Sequence, residues 1–371
     1  MRVLIAGGGT AGHINPAIAI ADKIKEKNPN AEILFAGTKR GMESRLVVKA
    51  GYNFTTIKVR GFQRQLSFRN IKNNILAVGC LVTSRFRAKK IISDFKPDLV
   101  IGTGGYVSGP IVLTAAKMGI KTAIHEQNAY AGVTTKLLSR YVDIALLAVE
   151  AAAKYLHPNC KYAVVGNPVR QEVIFKSRKE SREKYNVGER MCILSFGGSL
   201  GAQKLNDAIA NLIEKNASNP NFLHIHSTGN MGYDDFVKTL KDKNVNPQTN
   251  PNLDIRPYID DMADCMAAAD LVISRAGAIT LSEIQATGTA AVLIPSPNVA
   301  ENHQYHNAMV LKNAGAAEII EEKDLTAEKL FSVFEHLCES REKLALLGKN
   351  ASKLAIIDCA DRIYNEISKL L

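Results

Sequence analysis

The strongest constraint on this chain lies in its first thirteen residues, Met1-Arg-Val-Leu-Ile-Ala-Gly-Gly-Gly-Thr-Ala-Gly-His13. An apolar run with β character enters a glycine cluster, and His13 stands at its exit, before a second apolar run from Ile14 to Ile20. That order reads as a buried parallel strand, a tight loop able to admit a phosphate, and a helix start. It returns as Met191-Cys-Ile-Leu-Ser-Phe-Gly-Gly-Ser-Leu-Gly-Ala202. Two such units half a chain apart predict two similar nucleotide-type halves, with the chemistry in a cleft between them.

The remaining sequence repeats the alternation. Strand patterns fall at 3–6, 32–36, 53–57, 99–103, 122–125 and 144–148, and then at 192–196, 222–227, 253–257, 271–274, 291–294 and 317–320. Helical patterns such as 17–27 and 71–92 fill the gaps. Strands separated by helices argue for an α/β chain with doubly wound parallel sheets. A length of 371 residues fits two domains. Val165-Gly-Asn-Pro-Val-Arg170 carries the glycine and proline of a crossover. The expected division is 1–165 and 166–349, with a helical stretch over 344–371 whose part from about 350 packs back on the first domain.

Six scattered cysteines without a CxxC pair predict reduced thiols in a cytosolic protein. No secretory signal pattern opens the chain, and no apolar run approaches the roughly 18–20 residues of a membrane-spanning helix. The net charge of +11 is uneven: residues 1–165 hold 24 Lys+Arg against 9 Asp+Glu, and the remainder 23 against 27. Between Glu43 and Asp94 there is no acidic residue. A one-sided field of this kind favours an anionic partner, either an acidic membrane or nucleic acid. No recognisable nucleic-acid motif accompanies it, so no nucleic acid is expected as partner.

Gly7, Gly9 and Gly12 satisfy G-x-G-x-x-G, but the second strand ends Phe35-Ala-Gly-Thr-Lys39 without the carboxylate that holds an NAD ribose. Lys39 and Arg40 keep only NADP open as a dinucleotide. Gly197-Gly-Ser-Leu-Gly201 offers amides, a hydroxyl and a helix N-terminus to a diphosphate. Arg275-Ala-Gly-Ala-Ile-Thr-Leu-Ser-Glu283 sets small residues at another strand-to-helix turn, with a carboxylate further on that suits ribose hydroxyls. Glu301-Asn-His-Gln-Tyr-His-Asn-Ala308 is rich in amide and imidazole groups. Gly102-Thr-Gly-Gly-Tyr-Val-Ser-Gly109 and His125-Glu-Gln-Asn128 follow strands of the first half. Ligands of open parallel sheets bind beyond the carboxyl ends of the strands, so these clusters converge. Asp260, Asp261 and Asp264 read as a polar helix start rather than a metal cage, and no metal or cofactor is expected.

Together these motifs resemble the MurG family of UDP-GlcNAc transferases, in the family's order from Gly8 to Ala308. Two positions depart from its pattern: Ala11 replaces a glycine of the first loop, and Leu200 a glutamine of the second. The resemblance implies a GT-B architecture of two Rossmann-like domains facing across a cleft. It implies inverting transfer of GlcNAc from UDP-GlcNAc to the C4 hydroxyl of MurNAc in lipid I, giving lipid II. Carried over by motif, Glu283 binds the ribose, Ser199 the diphosphate and Gln304 the GlcNAc hydroxyls, with Arg170 and Ala278 as further donor contacts. Tyr258-Ile259 matches a pair that caps the uracil. Thr10, Ala11, Gly12 and Asn128 reach the sugar and the acceptor diphosphate.

A base must take the proton of the attacking hydroxyl. His13 is the first candidate and Glu126 the second. Lipid I is membrane-embedded, which gives the basic half an anionic cytoplasmic leaflet as partner and implies a peripheral location there. Ile75, Leu76, Val78, Leu81, Val82 and Phe86, flanked by Arg69, Lys72, Arg85, Arg87, Lys89 and Lys90, suit interfacial docking. The enzymatic rivals are a diacylglycerol glycosyltransferase and a UDP-GlcNAc 2-epimerase.

Overall fold

The computed structural model describes residues 1–59, 83–198 and 200–371. Most of the expected membrane-docking run, residues 69–82, and the expected diphosphate ligand Ser199 lie outside the described residues. The chain divides into one unit of Met1–Pro168 with Asp358–Leu371, and a second of Val169–Ile357.

In the first unit seven parallel strands are β1 (Arg2–Gly7), β2 (Glu32–Gly37), β3 (Asn53–Thr56), β4 (Leu99–Gly104), β5 (Lys121–Glu126), β6 (Ile144–Leu147) and β7 (Tyr162–Val164). Their order is β3-β2-β1-β4-β5-β6-β7. Val3 to Ala6 and Leu99 to Ile101 are fully buried. Strands covered on both faces read as unbroken apolar runs rather than alternating ones, and this made them legible. The strand β7 escapes that pattern because it is a three-residue edge strand, only partly buried.

The helix after β1 spans Ala11–Lys27, six residues longer at its start than the 17–27 pattern. Pro16 lies inside this helix, where its missing N–H removes the bond to the carbonyl of Gly12. Ile14, Ala17, Ile20, Ala21 and Ile24 form the buried stripe. His13 therefore sits inside the first helical turn, not ahead of it.

The second unit holds β8 (Met191–Phe196), β9 (Phe222–Ser227), β10 (Leu253–Arg256), β11 (Leu271–Ser274), β12 (Ala290–Leu293) and β13 (Ala317–Ile319). Their order, β10-β9-β8-β11-β12-β13, repeats that of the first sheet. In both sheets the order reverses beside the first strand of the unit, so each glycine loop emerges at the topological switch point where such folds bind ligands.

The expected continuous helical stretch over 344–371 is two helices, Arg341–Ser352 and Cys359–Ser368. The chain breaks where it leaves the second unit for the first. Cys359–Ser368 packs on Ala11–Lys27, with Asp361 paired to Lys23 at 3.3 Å and Lys27 at 3.2 Å.

Candidate active site

In the first unit the loop after β1, the end of β4 and the end of β5 converge on His13. Thr10 is the extended N-cap of the helix, Ala11 and Gly12 open its first turn, and the carbonyl of Thr10 accepts from the amides of His13 and Ile14. Thr103 Oγ1 donates to the carbonyl of His13 at 2.9 Å. The His13 ring lies against Gly104, whose φ is +109° and where a Cβ would stand 2.6 Å from Nδ1. Only glycine admits both that backbone conformation and that approach. His13 Nδ1 meets Gln127 Oε1 at 2.9 Å.

Glu126 is in a different state. Its carboxylate, 4% exposed, accepts from the amide and Nδ2 of Asn128, both at 3.1 Å, from the amide of Gly132 at 3.0 Å, and from Thr135 Oγ1 at 2.6 Å. These donors fold residues 127–132 back over the end of β5 and orient Asn128.

Glu43 was invisible to motif reading. Its carboxylate is 1% exposed and accepts from the amide of Gly9 at 3.2 Å and from the amide and hydroxyl of Thr38 at 2.8 and 2.6 Å. Burial pushes its pKa up, but the hydrogen bonds from Thr38 and the loop amides outweigh that and hold it below the ordinary value. The first glycine loop thus already carries an anion of its own.

The second glycine loop carries none among the described residues. Gly201 donates to the carbonyl of Gly198 at 2.9 Å, and the helix Gln203–Asn216 follows. Gly201 has φ +77°, and a Cβ there would lie 2.2 Å from the carbonyl oxygen of Thr228. Leu200, the departure from the family pattern, points outward and is exposed.

Arg170 and Glu283 are brought together: Nε and Nη2 of Arg170 donate to Glu283 Oε1 at 3.2 and 3.0 Å. Burial raises the pKa of Glu283, and the guanidinium opposes the rise. Ala278 is the first residue of the helix that carries Glu283. Gln304 Oε1 accepts from the amide of Ser296 at 2.9 Å, which turns its Nε2 donor away from that contact. Ile259 is buried in the core beside Leu281, while Tyr258 stays half exposed.

Two of the aspartates after β10, Asp261 and Asp264, are paired with cations. Asp261 accepts from Lys184 at 2.7 Å, Tyr185 at 2.7 Å and Arg256 at 2.8 Å. Asp264 accepts from Lys176 and Lys184, both at 2.9 Å. Burial works against the charge on Asp261, yet Lys184, Tyr185 and Arg256 lower its pKa to about 2. Among the described residues no group of three or more His, Cys, Asp or Glu could hold a metal ion.

Two doubly wound sheets, each with a glycine loop at its switch strand, have the architecture of the GT-B class, and the family match makes the chain a glycosyltransferase. Residues 3–147 match the glycosyltransferase family 28 N-terminal domain and residues 192–363 its C-terminal domain. The chain is 45% identical over 372 residues to the UDP-N-acetylglucosamine–N-acetylmuramyl-(pentapeptide) pyrophosphoryl-undecaprenol N-acetylglucosamine transferase of Acetivibrio thermocellus, covering 100% of this chain and 98% of that one. It is 44% identical to the enzyme of the same name from a Thermoanaerobacter species, covering all of both chains. The crystal structure of MurG from Acinetobacter baumannii superposes with a TM-score of 0.79 at 30% identity over 99% of each chain. The chain belongs to the MurG family.

Proposed function

We propose that this enzyme transfers GlcNAc from UDP-GlcNAc, with inversion, to the C4 hydroxyl of MurNAc in undecaprenyl-pyrophosphoryl-MurNAc-pentapeptide, converting lipid I to lipid II. Full-length identity to transferases named for that reaction supports it. The observation that carries the assignment of substrates is the contrast between the two glycine loops. Glu43 already occupies the Gly9 amide of the first, while among the described residues the second presents its turn and helix N-terminus without a competing carboxylate. The donor diphosphate is therefore assigned to the second unit, residues 169–357, and the acceptor to the first.

In this reading Glu283 accepts the ribose hydroxyls, Gln304 Nε2 donates to the GlcNAc hydroxyls, and Ile259 with Tyr258 holds the uracil. Arg170 and Ala278 line the donor, and Ser199 joins the loop amides at the diphosphate. As the anomeric C–O bond breaks, negative charge grows on UDP. The helix dipole and fixed amides meet that charge without having to reorganise. His13 takes the proton from the C4 hydroxyl as that oxygen attacks. Glu126, with both oxygens already accepting hydrogen bonds, serves to orient Asn128 toward the acceptor, where Thr10, Ala11 and Gly12 also contribute.

The enzyme acts as a peripheral protein at the cytoplasmic face of the bacterial membrane. No helix among the described residues is long and apolar enough to cross a membrane. Phe86 is 74% exposed on a helix over 83–95, and Arg85, Arg87, Lys89 and Lys90 are exposed beside it. An apolar side chain ringed by cations suits an acidic lipid surface. Sedimentation with anionic but not neutral vesicles is the expected result; equal binding to both removes the electrostatic part.

Product analysis tests the reaction. With labelled UDP-GlcNAc, UDP release must require a lipid I analogue and match the label entering lipid. Transfer to diacylglycerol, or a new nucleotide sugar formed without acceptor, would instead indicate the rival glycosyltransferase or the 2-epimerase.

A further inference from the structure

Gln127 lies between two histidines, and its hydrogen bonds run in one direction. Its Nε2 donates to the carbonyl of Thr103 at 2.9 Å and of His125 at 3.1 Å, and meets His125 Nδ1 at 2.9 Å. Carbonyls only accept, so this end of the amide is the NH2 group. Turning it over would press Oε1 against two carbonyl oxygens. At the far side of the chain, His125 Nε2 meets the carbonyl of Gly166 at 3.0 Å and must donate to it. Burial keeps His125 neutral by lowering its pKa, and a neutral ring with Nε2–H has its acceptor at Nδ1, where Gln127 Nε2 donates. The NH2 has two hydrogens for three acceptors, so one of them is shared between two of these groups. Gln127 Oε1 is then left facing His13 Nδ1 at 2.9 Å as an acceptor.

We propose that Gln127 is a positioning residue that fixes His13 as its Nδ1–H tautomer, so that the Nε2 lone pair receives the acceptor's hydroxyl proton. The proposal rests on the reading of His13 as the base. When the C4 oxygen bonds to the anomeric carbon and UDP leaves, the hydroxyl proton passes to Nε2. The resulting imidazolium keeps its Nδ1–H on Gln127 Oε1, which shares the new positive charge. The same tautomer logic governs other imidazole bases, where a partner at one ring nitrogen decides what the other can do.

The test is nitrogen NMR on full-length enzyme labelled with 15N-histidine, the His13 signals being assigned by their loss in His13→Gln. With the ring neutral, the wild type should show a pyrrole-type Nδ1 and a pyridine-type Nε2. Gln127→Leu removes the acceptor and should move the population toward Nε2–H, with kcat down at least about tenfold, within the range a general base supplies, and UDP-GlcNAc Kd unchanged. Gln127→Glu keeps an acceptor opposite Nδ1 and should keep the Nδ1–H tautomer, while its second oxygen, set against the carbonyls of Thr103 and His125, should lower stability and kcat. A dominant Nε2–H form in the wild type, or a Gln127→Leu variant that keeps the wild-type tautomer, overturns the proposal. If Gln127→Leu does not fold, the wild-type tautomer and Gln127→Glu still decide. The base reading fails separately, if His13→Ala keeps its kcat while the tautomer stands.

Discussion

Arg170 lays two guanidinium nitrogens on a single oxygen of Glu283, at 3.0 and 3.2 Å, on a carboxylate otherwise buried in the second unit. The pair compensates a charge that burial alone would disfavour. In the proposed function that carboxylate accepts the hydroxyls of the donor ribose.

Glu283→Gln should therefore separate stability from binding. The folded-state pKa is raised above 4.5, so the wild type loses stability as pH rises from 4.5 through the folded value. The variant lacks this loss. At pH 7 its melting temperature should equal or exceed that of the wild type, while UDP-GlcNAc Kd rises about tenfold or more, the scale of a hydrogen bond to a charged acceptor. Calorimetric melting with titration of UDP-GlcNAc reads both. A lower melting point with normal affinity would contradict the ribose role.

Glu43→Ala should loosen the first glycine loop. Three donors lose their acceptor in a buried place, which costs roughly 2–4 kcal/mol in all. Because the pKa of Glu43 lies below 4.5 in the folded state, its contribution is present above pH 4.5 and is lost as pH falls. Hydrogen exchange over residues 7–13 should accelerate in the variant, and unchanged protection there would show that the loop holds itself.

Ser195 Oγ is shared by His224 Nε2 and His226 Nδ1, each at 2.7 Å, in the buried heart of the second sheet. Burial lowers both histidine pKa values to about 3. The unfolded chain takes up these protons near pH 6.5 and the folded chain does not, so their stability is complete above 6.5 and drains away as pH falls toward 3. The slope should be about 1 kcal/mol per histidine per pH unit below the unfolded pKa. Urea midpoints of the second unit between pH 7 and 5 should fall less steeply in His226→Phe than in the wild type.

Gly201→Ala should abolish UDP-GlcNAc binding while leaving the first unit intact. The added Cβ has no room beside the carbonyl of Thr228, and φ +77° is strained for alanine. Circular dichroism and a UDP titration decide: a well-folded variant with normal Kd would detach this loop from the donor.

Much of the scaffold was legible because the central strands of both sheets are buried on two faces, which turns them into apolar runs. The strand β7, short and at the edge, carries no such signal. The helix that holds His13 begins six residues before the 17–27 pattern, among the small residues Ala11 and Gly12 that carry no apolar periodicity. The motif residues were readable as types at strand ends. Their partners were not: Glu43 reaches Gly9 from 34 residues away and Gln127 reaches His13 from 114. Contacts of that range come from the order of strands in the sheet, not from spacing along the chain.

The most direct measurement is steady-state transfer of labelled GlcNAc to a lipid I analogue by the wild type and His13→Ala, with UDP-GlcNAc affinity measured in parallel. Loss of the base should lower kcat by roughly 10²–10⁴ and leave UDP-GlcNAc Kd within a few-fold. Near-normal kcat in His13→Ala would contradict the assignment, and absence of lipid-dependent transfer by the wild type would contradict the function itself.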